Sequence, residues 1–527
     1  MLRALTSPRG MVTAPHHLAA QAGAAILRDG GNAVEAMVAA AATIAVVYPH
    51  MNSIGGDGFW LISQPGKLPI GIDACGRAAL LAAPHWYHRQ GHATIPTRGP
   101  LAANTVAGAV SGWKAALGVA GGQLPLARLL EDATWYAREG TPVTQSQVDY
   151  TAKFIDELAP QPGFAGAFLH DIRPPRALTR QRFPALAATF ERLARHGLDD
   201  FYRGELAHAL AAELARLGSP LRRDDLDRHN AAIVAPLAVN LSVGTAYNLP
   251  PPTQGLASLM ILALFDRIRD GVEAETFAHV HGIVEATKQA FLVRNRHVCD
   301  PDAMDIVAGD FLRDDAIAER ARAIDAKRAR PWPEPAINGD TVWMGAADRN
   351  GCMVSYIQSV YWEFGSGVVL QDTGVNWQNR GASFALDPPS HVVLAPGRKP
   401  FHTLNPALAR LSDGREIVYG NMGGDGQPQS QAAVFSRYAM FGHDLQQAIS
   451  APRWLLGRTW GQMSVSLKLE SRFDPSLVAA LAEAGHEIEL VEPYSDLVGH
   501  AGALVRYPDG VIAGAADPRS DGAVAAF

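Results

Sequence analysis

The stretch Gly339-Asp340-Thr341-Val342-Trp343-Met344-Gly345-Ala346-Ala347-Asp348-Arg349-Asn350-Gly351 divides the 527-residue chain into two parts of different character. Downstream, Thr341–Ala347 and Cys352–Ser359 flank the turn Asp348-Arg349-Asn350-Gly351. Asn-Gly between apolar runs is a strong hairpin signal, because both residues tolerate the positive φ that tight turns need. The pattern repeats. Ala407–Leu411 and Glu416–Gly420 flank Ser412-Asp413-Gly414, and Ala503–Tyr507 and Val511–Ala515 flank Pro508-Asp509-Gly510. Upstream, beyond the Pro-rich approach Pro331–Pro335, the chain reads as mostly helical with short strands between. Residues 17–29 form an Ala-rich helix pattern stopped by Gly30-Gly31, and Asn32 caps a second helix with Glu35 in the capping-box position. Further helices are predicted at 204–217, 273–294 and 475–486, and Pro250-Pro251-Pro252-Thr253-Gln254-Gly255 is a rigid loop. Hairpins imply antiparallel sheet, so the expected class is α+β, with sheets layered against helices.

Composition excludes several classes. The formal net charge is −6, with 48% hydrophobic and 19% charged residues, so nothing global favours nucleic acid or an anionic membrane. Arg173, Arg176, Arg180 and Arg182 sit in a Pro-containing segment and read as a solvated loop. Cys75, Cys299 and Cys352 are odd in number and lack CxxC spacing, which fits a reducing compartment and argues against a disulfide framework or zinc knuckle. The N-terminal residues show no uninterrupted apolar run, so no signal peptide is expected. The run Ala36–Tyr48 is too short to span a membrane and reads as a buried helix. Cytoplasmic residence is the expectation.

Standard catalytic signatures are missing: there is no GxSxG, HExxH, GxxxxGK[ST] or well-placed GxGxxG. His16-His17 and His279-x-His281 lack a third ligand at metal spacing, so neither metal nor cofactor is assigned.

Short motifs along nearly the whole chain then fall into one order. They are Asp29–Ala36, Gly55-Gly56-Asp57-Gly58-Phe59, Asp200–Glu205, the Pro250–Gly255 loop, Val284–Lys288 with Asp300-Pro301, and Thr341–Gly351. Phe364-Gly365-Ser366, Gly420–Gly424, Gly485-His486 and Asp517-Pro518-Arg519 with Asp521-Gly522 complete it. In that order they resemble the gamma-glutamyltransferase family of N-terminal-nucleophile (Ntn) hydrolases. The resemblance implies an αββα sandwich, two antiparallel sheets between helical layers. It also implies a precursor cut between Asp340 and Thr341 into a large segment, 1–340, and a small one, 341–527, which together build one core.

The resemblance implies the chemistry as well. Thr341 attacks the carbonyl before it, and once freed its α-amine serves as general base for its own hydroxyl. An α-amine with a reference pKa of ~7.7–8.0 suits that task near neutral pH. Gly423 and Gly424 match the glycine pair whose N–H groups form the oxyanion hole. Ser359 falls where the family places a hydroxyl beside the nucleophile, and Arg77 matches the arginine that holds a substrate carboxylate. Other positions depart from the gamma-glutamyl pattern. Tyr361 replaces an Asn, Arg380 a Gln, Ser383 an Asp, and His402-Thr403 a Ser-Ser pair; with Arg77, the residues Tyr361, Arg380, His402 and Thr403 are the implied substrate-binding positions. The anionic partner for a substrate α-ammonium is therefore lost, which argues against glutathione. Within the family the pattern most resembles the cytoplasmic oxamate amidohydrolases, implying conversion of oxamate to oxalate and ammonia in purine-ring breakdown. A gamma-glutamyl hydrolase or transferase and a glutaryl-type acylase stay open on this reading, as does a non-catalytic, unprocessed binding protein. The implied partners are a small carboxylate-bearing amide and the two segments of the precursor, in a possible homo-oligomer of processed heterodimers.

Overall fold

A computed structural model of the chain describes residues 3–332, 340–457 and 464–527, with Asp340 described in its backbone alone. Gly339 and Pro333–Pro335 lie outside the described residues.

The strands of the two large sheets are β1 (Leu5–Ser7), β2 (Gly10–Ala14), β3 (Asp57–Ser63), β4 (Ile70–Ala74), β5 (Ala232–Val234), β6 (Leu237–Leu241), β7 (Gly244–Asn248), β8 (Asp340–Asp348), β9 (Met353–Tyr361), β10 (Ala407–Leu411), β11 (Glu416–Asn421), β12 (Ala501–Arg506), β13 (Ile512–Ala516) and β14 (Ala523–Ala526). One sheet has the order β1-β13-β12-β11-β10-β7-β6 and the other β14-β2-β8-β9-β3-β4-β5, with every neighbouring pair antiparallel. The three hairpins expected from their turns are present as β8–β9, β10–β11 and β12–β13. Strands from both sides of Thr341 lie in each sheet, and β8 itself is wedged between β2 and β9.

Helices α1 (His17–Arg28) and α2 (Ala33–Val47) cover the β8-containing sheet, sharing one core with Val12, Val342, Met344 and Ala346. The capping box at Asn32 is formed: its side chain accepts from Val34 and Glu35, while Glu35 accepts from the Asn32 N–H. The apolar run predicted to be buried is α2, buried all round. On the far side α3 (Gly255–Ile268), α4 (Phe277–His297) and α5 (Gly426–Phe435) pack on the other sheet through Ala246, Ala409, Ile417 and Ala503. Between the sheets lies a third core of Phe59, Leu61, Trp343, Ile357, Leu408, Val418 and Leu504. The layering is αββα. Arg173, Arg176, Arg180 and Arg182 are exposed, as their charge predicts. No helix among the described residues is long and apolar enough to cross a membrane.

Register between the sheets is fixed by one residue. Side chains alternate along a strand, so Val342, Met344 and Ala346 face the helices while Trp343 faces the opposite sheet. There it enters a slot made by Gly420 and Gly502, which are directly opposed across β11 and β12. A Cβ at either position would overlap the indole, while the indole N–H donates to Ser355 Oγ at 2.9 Å. Because Thr341 lies two residues before Trp343 and Gly423 three after Gly420, this slot aligns the start of β8 with the turn that follows β11. Gly420→Ala is expected to destabilise the protein by about 1–3 kcal/mol through overpacking. The measurement is the denaturation midpoint, and an unchanged midpoint would mean the slot has slack.

Candidate active site

Thr341 sits where the β8–β9 ladder is irregular. Asp340 pairs with Tyr361 and Val342 with Gln358, so Ser359 and Val360 together oppose Thr341 alone. A bulge of this kind bends the strand and re-aims side chains. Thr341 Oγ1 lies 3.4 Å from the Gln358 carbonyl, and the Gln358 side chain is itself fixed by Asn52 Oδ1 (2.8 Å) and the Tyr356 hydroxyl (2.6 Å). Ser359 Oγ accepts from the Tyr361 N–H at 2.8 Å, and Tyr361 has φ of +84°. Backbone in that region is strained for a non-glycine residue and clusters at functional sites.

The turn after β11 forms the second wall. Gly423 and Gly424 have φ of +113° and +50°, which glycine adopts without penalty, and they lead directly into α5. Two sets of buried groups hold this turn. On one side Gln254, from the predicted rigid loop, donates to the carbonyls of Gly424 (2.8 Å) and Thr403 (2.7 Å). Arg294 on α4 binds both Gln254 Oε1 (2.8 Å) and Asp425 (2.7 Å). On the other side the Met422 N–H donates to the His500 carbonyl, and the neighbouring Ala501 N–H donates to Asp517. Asp517 is paired with Arg453 and Arg519, and Arg519 with Glu470, all buried. Burial opposes ionisation of Asp517, but Arg453, Arg519 and the Ala501 N–H outweigh it and bring its pKa down to about 2. The sign follows. A carboxyl with a depressed folded pKa contributes stability that is fully present above its unfolded value of ~3.9 and is lost as pH falls through about 2. The urea midpoint is therefore expected to drop between pH 4 and 2, and Asp517→Asn to be less stable at neutral pH with a shallower acid limb.

The third wall carries the guanidinium. Arg380 is buried, stacks on the Tyr361 ring at 3.9 Å, donates Nε (2.9 Å) and Nη2 to the Phe401 carbonyl, and donates Nη1 to Thr403 Oγ1 (3.2 Å). Burial works against its charge, lowering its pKa. His402 follows Phe401, and its Nε2 lies 3.0 Å from Asp57 Oδ2. Asp57, paired with Ser359 across β3 and β9, takes N–H donors from Gly76, Gly108 and the Gln378 amide on its other oxygen. Burial nevertheless raises the Asp57 pKa to about 6.

The structure thus joins Thr341, Ser359, Tyr361, Arg380, His402, Thr403, Gly423 and Gly424 through shared contacts. It does not bring Arg77 into this group. Arg77 is half-exposed and its guanidinium is taken up by the Gly397 carbonyl and Asp302, both at 3.0 Å. The guanidinium buried in this wall is Arg380, which the resemblance had placed among the substrate-binding positions in place of a Gln. Asp57, Gln254, Arg294 and Asp425 were not singled out for this role from sequence. Asp57 and Gln254 lay within recognised motifs, but their partners are far away in the chain.

Two clusters among the described residues have ligand atoms close enough to suit a metal: Asp57–Cys75–His402 and His281–Glu285–His486. The carboxylate of each is already engaged. Asp57 is saturated by N–H donors as above. In the other cluster the Lys288 ammonium sits 2.6 Å from Glu285, and His281 bonds His486 at 2.9 Å.

The family model described as gamma-glutamyltranspeptidase matches residues 19–527. The chain belongs to this family. It is an N-terminal-nucleophile hydrolase of α+β class. It is 56% identical to the oxamate amidohydrolase proenzyme of Klebsiella pneumoniae over 527 residues, covering 99% of each chain. It is 38% identical to the glutathione hydrolase-like YwrD proenzyme of Bacillus subtilis, again over 99% of both. Among solved structures it resembles the cephalosporin acylase of Bacillus halodurans, with a TM-score of 0.91 and 34% identity over 99% of this chain and 97% of that one.

Proposed function

We propose that this protein is an autoprocessing amidohydrolase that cleaves the amide of a small carboxylate, oxamate, to oxalate and ammonia. The observation that carries the reading is Arg380, a buried guanidinium beside the Thr341 bulge, at a site where Ser383 stands in place of the acid that would meet an α-ammonium. Three of its five N–H donors are used by Phe401 and Thr403, which leaves one on each terminal nitrogen for a carboxylate. Tyr361 covers one face of the guanidinium, and a ring where the family pattern has an Asn suits a short acid.

In the precursor the Thr341 hydroxyl attacks the Asp340 carbonyl, an N-to-O shift leaves an ester, and water releases segments 1–340 and 341–527. The freed α-amine then takes the hydroxyl proton as Oγ1 attacks the substrate carbonyl, and returns it to the leaving ammonia. Gly423 and Gly424 supply N–H groups to the oxyanion, and Ser359 supports the bulge. Water repeats the attack on the acyl-enzyme. We place the carboxylate on Arg380 and Thr403 and leave Arg77 to a surface ion pair. The 56% likeness to an oxamate amidohydrolase proenzyme supports this substrate. Cytoplasmic residence and a role in purine-ring breakdown belong to the same reading. The first is supported by Cys75, Cys299 and Cys352, which are all free and buried.

A glutaryl-type acylase is the second reading, favoured by the likeness to cephalosporin acylase. The deciding assay offers purified, processed protein oxamate, a glutaryl amide and gamma-glutamyl-p-nitroanilide. Ammonia from oxamate alone is expected. Efficient cleavage of the anilide with no ammonia from oxamate would overturn the proposal.

A further inference from the structure

His402 carries an unused lone pair. Its ring is buried, its edge packs against Phe59 with centroids 4.7 Å apart, and Nε2 faces Asp57 at 3.0 Å. Nδ1 is equally buried and has no hydrogen-bond partner among the described residues. Burial, with the Arg380 charge beside it, holds the ring far below the ordinary histidine pKa, so it is neutral. A neutral imidazole has one N–H and one lone pair. With Asp57 already accepting three N–H donors on Oδ1, its other oxygen completes an acceptor-only carboxylate once ionised, above about pH 6. The ring proton therefore belongs on Nε2. Nδ1 is left as a bare acceptor on the residue between Phe401 and Thr403, both of which the Arg380 guanidinium binds.

An unmet acceptor inside a protein is costly and calls for a partner. The ligand must fit both neighbours: negative charge for Arg380, and an N–H within a few bonds of it for Nδ1. A primary amide joined directly to a carboxylate meets both demands.

We propose that His402 selects the substrate's amide nitrogen, its Nδ1 accepting an amide N–H while Arg380 holds the adjacent carboxylate. Asp57 is the positioning residue that fixes the tautomer. This rests on the oxamate reading above. Thr341, Arg380 and His402 are each 1% exposed in the uncut chain, so the proposal applies to the processed protein.

The test compares oxamate with pyruvate, which has the same shape but a methyl group in place of the amino group. In His402→Phe the KM for oxamate should rise roughly 10- to 100-fold, the loss expected when one polar partner is left unmet. The inhibition constant of pyruvate should stay within about twofold, because pyruvate has no N–H to lose. His402→Asn, which puts an oxygen near the Nδ1 position, should recover part of the loss. Parallel rises for oxamate and pyruvate, or no change in either, would overturn the proposal.

Nitrogen-15 NMR of processed protein gives a second, independent reading. Wild type should show His402 neutral with its proton on Nε2. Asp57→Asn should move the proton to Nδ1 and weaken oxamate while pyruvate is spared, much as a wrong tautomer disables a catalytic histidine. A protonated Nδ1 in wild type, or a moved proton with unchanged KM, would sink the assignment. If wild type releases no ammonia from oxamate the substrate reading fails, and the NMR result still judges the lone pair.

Discussion

Thr341→Ala is expected to run as one uncut band of 527 residues and to show no measurable amide hydrolysis. The loss should be on the order of 10⁴–10⁶-fold, the scale of removing a nucleophile from a unit that acts together. Both chemical events need the same oxygen, so one substitution removes both. The fold should survive. The Thr341 hydroxyl lies a long 3.4 Å from the Gln358 carbonyl, and the bulge around it is set by Ser359 and Tyr361. Circular dichroism should be unchanged and the denaturation midpoint should move little. Thr341→Ser keeps the oxygen and should still give two bands. Two bands from the alanine variant, or an active intact chain, would refute the proposed chemistry at its root.

The second large effect is expected at Arg380. Arg380→Gln removes the positive charge but keeps a polar side chain of similar reach. Breaking a buried, hydrogen-bonded charge pair costs about 2–5 kcal/mol, or roughly 30- to several-thousand-fold in kcat/KM for a carboxylate substrate. Most of that should fall on KM, because the guanidinium grips a group that does not react. Arg380→Lys should recover part of the loss, since an ammonium keeps charge but not the two-pronged geometry. Processing should continue in both variants, because Arg380 takes no part in the bond before Thr341. Arg77→Gln, by contrast, should leave KM near the wild-type value. If Arg77→Gln raises KM and Arg380→Gln does not, the pocket has been assigned to the wrong arginine.

The contrast between these two arginines shows what sequence could and could not reveal. Local signals were legible. Asn350-Gly351 marked the β8–β9 hairpin, Asn32 with Glu35 marked the start of α2, and the hairpin turns marked β10–β11 and β12–β13. Each depends on residues within a few positions of one another. Thr341 and the glycine pair were picked out through a motif order shared with a known family. The direction of a long side chain was not. Arg77 lies near a matching motif, yet the Gly397 carbonyl and Asp302 draw it outward. The supporting groups were hidden for the same reason. Gln254 meets Gly424 across 170 residues, and Asp57 meets His402 across 345. No periodicity reports a bond of that span. The Trp343 slot likewise needs two glycines, Gly420 and Gly502, that are distant in sequence and opposed only once β11 and β12 have paired.

The interleaving of strands from both sides of Thr341 has a consequence for the life of the molecule. β8 is inserted between β2 and β9 before the bond at its start is cut, so the uncut chain assembles as a single polymer with its ends already tethered. After the cut, unfolding yields two separate polypeptides, and regaining the sheets becomes a second-order encounter that slows with dilution. The mature form is therefore guarded by its barrier to opening rather than by easy return, and heating followed by cooling should restore the uncut Thr341→Ala chain far better than the wild type.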